Sequence, residues 1–295
     1  MKKKAVYLFF LMVAGVVAAP TPEQWRAETL KHIKAGTQNE AIEQFTGYLS
    51  KRLNSDKSIQ NRELGQLASA AECVRFMQLS MKVDIAPEIT EWLLGSGKRL
   101  HRIINIFQPQ DDIRQCMAIL KTLREHDPAG ADEFFELMLA VAIVFDQPGN
   151  LKIHRQMGKS IPKYAPDPVE RYDDFKQLYE KRRSRIEYRK LTATELRFVV
   201  YLPVPMSEVQ WARENVGGSL SGWGGKYSSI EYDYDRIEEQ RYSWDHGLYT
   251  LEAIEEHGGI CVDQAYYSVI TARAHGIPAI YFSGSGKRAD HAWFS

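Results

Sequence analysis

A chain of 295 residues that is 44% hydrophobic and 26% charged is long enough for about two globular domains and carries no signature of global disorder. Its 38 basic and 38 acidic side chains cancel, which argues against a nucleic-acid or anionic-membrane partner as the main function. Three cysteines are too few for a disulfide scaffold.

Residues 1–19 read as an export signal. Lys2, Lys3 and Lys4 form a basic start, an apolar run of about thirteen residues follows, and Val17, Ala18 and Ala19 give a small-residue cleavage pattern. The run is short of the ~20 residues that span a bilayer, so a removed signal is expected rather than a retained anchor. No cysteine follows it to carry a bacterial lipid anchor. The mature protein is expected outside the cytoplasm, periplasmic or extracellular, with no stable membrane insertion.

Residues 20–165 read as a helical domain. Pro22 opens a helix that Gly36 closes; a second carries Ile42, Phe45 and Leu49; and 59–79 place Leu64, Leu67, Ala71 and Val74 at helical spacing. Residues 134–145 form a strongly apolar helix expected at the centre. No fixed repeat period appears, so a general helical domain is expected over a solenoid. Cys73 and Cys116 lie here, either paired or as two buried thiols.

The proline-rich 161–168 marks a boundary, and 166–225 read as a linker region. Residues 172–189 are expected as a charged helix whose Lys181, Arg182, Arg183 and Arg185 make a solvated face. Residues 195–202 alternate as a strand would, Ser207 is placed to cap a short helix, and 217–225 read as a mobile Gly-rich loop. That loop lacks the Gly-Lys-Ser/Thr ending of a phosphate loop. Residues 227–234 are aromatic and β-prone.

The last stretch, 248–294, carries the chemistry. Gly258 and Gly259 allow a tight approach to a helix beginning near Cys261, where unpaired N–H groups and the helix dipole favour a thiolate. Cys261, Ala265, Ser268 and Ala272 fall on one face of small side chains. Gly276 fits the left-handed stop and Pro278 prevents resumption, with His275 in the last turn. Ile280, Tyr281 and Phe282 read as a strand, 283–286 as a turn, and His291 opens a second strand through Phe294. A thiolate nucleophile needs an imidazole within hydrogen-bond reach.

The order Gly-Gly-x-Cys, alanine-rich helix, Gly-Ile-Pro-Ala, His-Ala-Trp resembles the core of the transglutaminase-like superfamily, related in fold and thiol chemistry to papain-type enzymes. The resemblance covers roughly the last fifty residues. Joined to the helical domain read above, it gives an α+β architecture: an N-terminal all-α domain followed at 226–295 by what the resemblance implies is the first part of a papain-like core, in which a Cys-bearing helix packs on antiparallel strands. It implies Cys261 as nucleophile and His291 as base. The family's third member, an aspartate on the next strand, would fall beyond Ser295, so the chain alone is expected to be nearly or wholly inactive. Asp290 and Asp263 are expected to point away from the pair. For the oxyanion, Trp244 is the candidate donor, with a packing role as its alternative.

A metal is not expected. His246, His257, His275 and His291 with Asp245, Asp263 and Asp290 match no short ligand pairing, and no acidic loop suits calcium. No cofactor is implied. The expected function is an exported thiol acyl-transfer enzyme, hydrolytic (peptidase or amidase) rather than crosslinking, acting on protein or peptide carboxamides. The alternative is a binding or scaffold protein that keeps the fold without catalysis.

Overall fold

The computed structural model describes residues 19–55, 58–147, 153–157, 161, 164–181, 183–184, 186–286 and 290–295. Residues 1–18 of the expected export signal lie outside the described residues, as do Arg182 and Arg185 of the basic run. The described chain is α+β: helices with one two-stranded antiparallel sheet. None of the described helices is long and apolar enough to cross a membrane.

Packing divides the chain into two compact units, with the division in the sequence between Asn105 and Ile106. The first holds α1 (Pro22–Ala35), α2 (Gln38–Leu53), α3 (Asn61–Lys82), α4 (Pro87–Leu94) and almost all of α5 (Gly97–Ile106). Thr21 and Gln24 cap α1 reciprocally, each side chain accepting the other's backbone N–H, and Gly36 closes it in the left-handed conformation. Trp25 meets Phe45 edge-on at 4.4 Å, tying α1 to α2. On α3 the inward residues include Leu67, Cys73, Phe76 and Met77, while Leu64, which the sequence sets at helical spacing with Leu67, is 49% exposed.

The second unit holds α6 (Ile113–His126), α7 (Phe135–Val144), α8 (Pro168–Glu180), α9 (Ala193–Val200), α10 (Met206–Asn215), α11 (Lys226–Ser229), α12 (Tyr234–Glu238), α13 (Leu251–His257), α14 (Cys261–Ala274), β1 (Tyr281–Ser285) and β2 (Asp290–Phe294). α7 is buried from Phe135 to Ile143 and packs on α6, α8 and α9, which is the central position its all-round apolar sequence demands. α14 is buried from Val262 to Ala274 and packs against α10, α11, α13 and both strands. Its small residues Ala265, Ser268 and Ala272 permit that close approach. At its end Arg213, held by two hydrogen bonds to Asp174, donates to the Ala274 carbonyl at 2.6 Å. Gly276 follows at φ 74°, as the sequence predicts, with the Tyr188 hydroxyl where a Cβ would stand.

Several elements differ from the sequence reading. Residues 195–202 are not a strand: Thr192 and Glu195 form a reciprocal cap, and Ala193, Leu196, Val199 and Val200 bury one face of α9. A Thr-x-x-Glu cap outweighs alternation over so short a run. The charged helix of 172–189 begins at Pro168 and stops at Glu180. Ser207 is not a cap, since α10 starts at Met206 behind Pro205. The glycine segment forms a 3-10 helix, Leu220–Gly225, with Ser219 capping it and Trp223 buried. Residues 227–234 are helical at both ends, and only Tyr232 keeps an extended pairing, a parallel bridge to Gly259. Residues 283–285, expected in a turn, continue β1.

The strands pair in a register that sets Tyr281 opposite Phe294, Ser283 opposite Ala292 and Gly284 opposite His291. Ala292 is fully buried against α14, so the alternation of a strand turns its neighbours His291 and Trp293 to the other, exposed face.

Because α7 is enclosed on every side, truncating Leu139 leaves a cavity with nothing able to collapse into it. Leu139→Ala is expected to lower stability by about 2–5 kcal/mol, measured by urea unfolding of the full chain.

Candidate active site

The backbone that leads to Cys261 is clamped before the helix begins. Gly258 has φ 73°, and a Cβ there would lie 2.6 Å from the Glu231 carbonyl; at Gly259 a Cβ would lie 2.5 Å from that of Asp263. Gly259 donates to Glu231 O at 2.9 Å and accepts from Asp233 N at 3.1 Å. Both glycines are therefore required by close approach, as the sequence suggests.

Cys261 is the first residue of α14, with Ile260 in extended conformation before it. Its side chain is half-buried beside Ile260, Val262, Ala265 and Ala292, with Tyr227, Tyr232 and Tyr281 around it. Among the described backbone hydrogen bonds, the Cys261 and Val262 N–H groups have no acceptor, leaving two donors at the positive end of the helix. All three cysteines are free, and Cys73 and Cys116 are buried, so the paired alternative is not formed. Burial raises Cys73 to about 11 and pushes Cys116 higher still.

Tyr227 touches both expected catalytic residues. Its hydroxyl donates to Ala292 O at 2.8 Å and lies 3.5 Å from Cys261 O, and its ring centroid is 6.4 Å from that of His291. Burial first, and then the neighbouring Cys261 sulfur, raise the Tyr227 phenol. Among the described residues no hydrogen bond joins the Cys261 thiol to the His291 imidazole; both border Tyr227. His291 instead stacks on Trp293 at 6.1 Å. It forms part of the wall of a groove of about 480 Å³ with Trp223, Tyr227, Pro278 and Trp293, a wall that does not include Cys261.

Beneath the Cys261 turn lies a polar network that sequence reasoning missed. Asp263 Oδ2 accepts from Ile260 N at 3.0 Å and from Arg236 Nη1 at 2.9 Å, and its Oδ1 accepts from the Tyr249 hydroxyl at 2.8 Å. Arg236 and Asp263 are both wholly buried. The other Arg236 nitrogens donate to the carbonyls of Arg241 and Tyr242. All three partners of Asp263 act as donors to it, which suits an ionised carboxylate, although burial outweighs Arg236 and holds its pKa above the ordinary value. His154 Nε2 lies 2.8 Å from the Tyr249 hydroxyl, and its ring stacks on Tyr281 at 5.7 Å. An acidic residue three positions after a helix cap was the available signal for Asp263; nothing local marked Arg236 or His154.

Trp244 is buried, with Arg236 over its ring at 5.6 Å and Tyr249 edge-on to it at 5.2 Å. Its indole N–H has no partner among the described residues. Its contacts are thus with the network below the turn. Asp290 leaves His291 on the opposite strand face, as expected. His246 and His257 stack at 4.8 Å beside Asp233 and Asp245, yet no group of described residues is arranged to hold a metal ion.

Comparison of the chain with family models, with curated proteins and with solved structures finds no match.

Burial lowers His154 to about 3, whereas an imidazole in the unfolded chain titrates near 6.5. Between those values the unfolded state binds a proton that the folded state refuses, so the His154 contribution is complete above about pH 6.5 and falls as pH drops, by about 1.4 kcal/mol per pH unit. Asp146 has the opposite sign, because burial raises its carboxyl to about 6, so the informative quantity is a difference. Relative to His154→Gln, the wild type is expected to lose about 2–3 kcal/mol between pH 6.5 and 4.5 in urea unfolding; a constant difference would mean the imidazole is solvated.

Proposed function

We propose that the chain carries a thiol-dependent acyl-transfer site of transglutaminase-like type, acting as an exported cysteine peptidase or amidase on protein or peptide carboxamides. The observation that carries this reading is the delivery of one half-exposed thiol, Cys261, to the first position of a 14-residue buried helix while the other two thiols are buried. Cys261 Sγ attacks the carboxamide carbon, the C–N bond breaks, and the amine departs with a proton from His291. Water then attacks the thioester, the C–S bond breaks, and the acid and the thiol are restored. The Cys261 and Val262 N–H groups are suited to hold the oxyanion. Trp244, buried on Arg236, serves packing in this reading.

Proton transfer requires the His291 imidazole to reach the Cys261 sulfur, and among the described residues no hydrogen bond joins them, the His291 ring stacking on Trp293 instead. The lack of that bond favours a second reading, a binding or scaffold protein that keeps the helix-on-strands arrangement without catalysis. Export is supported by the basic and apolar pattern of residues 1–19.

Alkylation by iodoacetamide at neutral pH, read by peptide mass, separates the two. Because Cys73 and Cys116 are buried, faster alkylation of Cys261 is common to both readings, and the enzyme reading expects in addition that His291→Ala slows it severalfold. An unchanged Cys261 rate in His291→Ala would leave the scaffold reading. Incorporation of a labelled amine into a glutamine peptide, lost in Cys261→Ala, would identify crosslinking in place of hydrolysis.

A further inference from the structure

The Gly258–Cys261 turn rests on a fully buried ion pair that the acyl-transfer chemistry does not itself use. Asp263 holds the N–H of Ile260, the residue before Cys261, and packs against Gly259 so closely that no side chain fits there. Arg236 reaches Asp263 from α12, whose own first turn is held by Asp233 through Arg236 N at 3.0 Å. Asp233 N in turn bonds Gly259 O. The two charges are thus tied to both sides of the turn that carries the sulfur.

We infer that Asp263 and Arg236 are positioning residues for Cys261, fixing the backbone that presents the thiol and setting, by two opposed buried charges, how readily it gives up its proton. The inference rests on the reading of Cys261 as a nucleophile. A carboxylate near the helix start disfavours a second anion, and the guanidinium offsets it. Removing one charge leaves the other unbalanced in a dry site, so the two removals act on the sulfur in opposite directions. Loss of the turn's geometry alone would move both the same way.

Other ionisable groups face the site. Tyr227, Tyr232 and Tyr281 border the sulfur, and the last two also feel the Asp263 charge. On the far side of the pair, Asp233 lies 3.9 Å from Arg236, with His246 at 3.6 Å from Asp233. Tyr249 links the carboxylate to His154, and the His291 ring lies 6.4 Å from that of Tyr227. Apart from Tyr249 and, in the separate test of the acyl-transfer reading, His291, all of these remain in place in the substitutions below.

The test is the pH dependence of Cys261 alkylation by iodoacetamide in the full chain, with circular dichroism confirming the fold. Asp263→Asn is expected to move the midpoint down by about one pH unit and Arg236→Gln to move it up by a similar amount. Arg236→Lys, which keeps the charge, restores the wild-type midpoint. Should either charge-removing variant fail to fold, Tyr249→Phe decides: it takes one donor from the carboxylate and is expected to raise the midpoint. Shifts in one direction for both charge removals, or no shift in Tyr249→Phe, would overturn the inference. The acyl-transfer reading is judged separately, by whether His291→Ala slows Cys261 alkylation, so a moved profile with no effect of His291→Ala sinks that reading and leaves the pair's role standing.

Discussion

The buried contact between Arg236 and Asp263 is what the second unit's site depends on. Breaking such a pair by removing one partner costs about 3–5 kcal/mol, because the remaining charge is left without water or a counter-charge. Here the surviving charge would also sit against the turn at Gly258 and Gly259, where there is no room for a compensating side chain. The carbonyls of Arg241 and Tyr242 and the hydroxyl of Tyr249 complete the shell, so the two ions enter the interior with their hydrogen bonds satisfied. Position 261 inherits its precision from that shell.

Above the pair the surroundings change from ionic to aromatic. Tyr227, Tyr232 and Tyr281 surround Cys261, and burial raises all three phenols, keeping them neutral over the ordinary pH range. The Tyr281 hydroxyl is buried without a partner among the described residues. A half-buried thiol among neutral phenols is partly screened from bulk water, and among the described backbone hydrogen bonds the Cys261 and Val262 N–H groups beside it have no acceptor. That combination suits a reactive thiol, and it also suits a small closed core.

Much of this architecture was legible in the sequence. Glycines at 36, 258, 259 and 276 announced helix limits correctly, because positive φ angles and close approaches admit few other residues. The solid apolar run of α7 announced a central helix. What failed was periodicity over short spans: 195–202 alternates yet forms a helix, since a cap at Thr192 and contact with α7 decide the matter. At the site, Cys261 and its helix were readable from local signals, whereas the side chains that hold them came from Arg236, Tyr249 and His154, at separations of up to 109 residues from position 263. No local pattern encodes such partners. The facing of His291 was readable in principle, since Ala292 beside it is the small residue that fits against a buried helix.

The enclosure of α14 dictates how anything can reach the sulfur. With every residue from Val262 onward covered, the helix offers solvent neither flank, and its leading residue is the one point left half-open. Whatever meets α14 from solvent therefore meets it at its first turn, beside the phenols of Tyr227, Tyr232 and Tyr281.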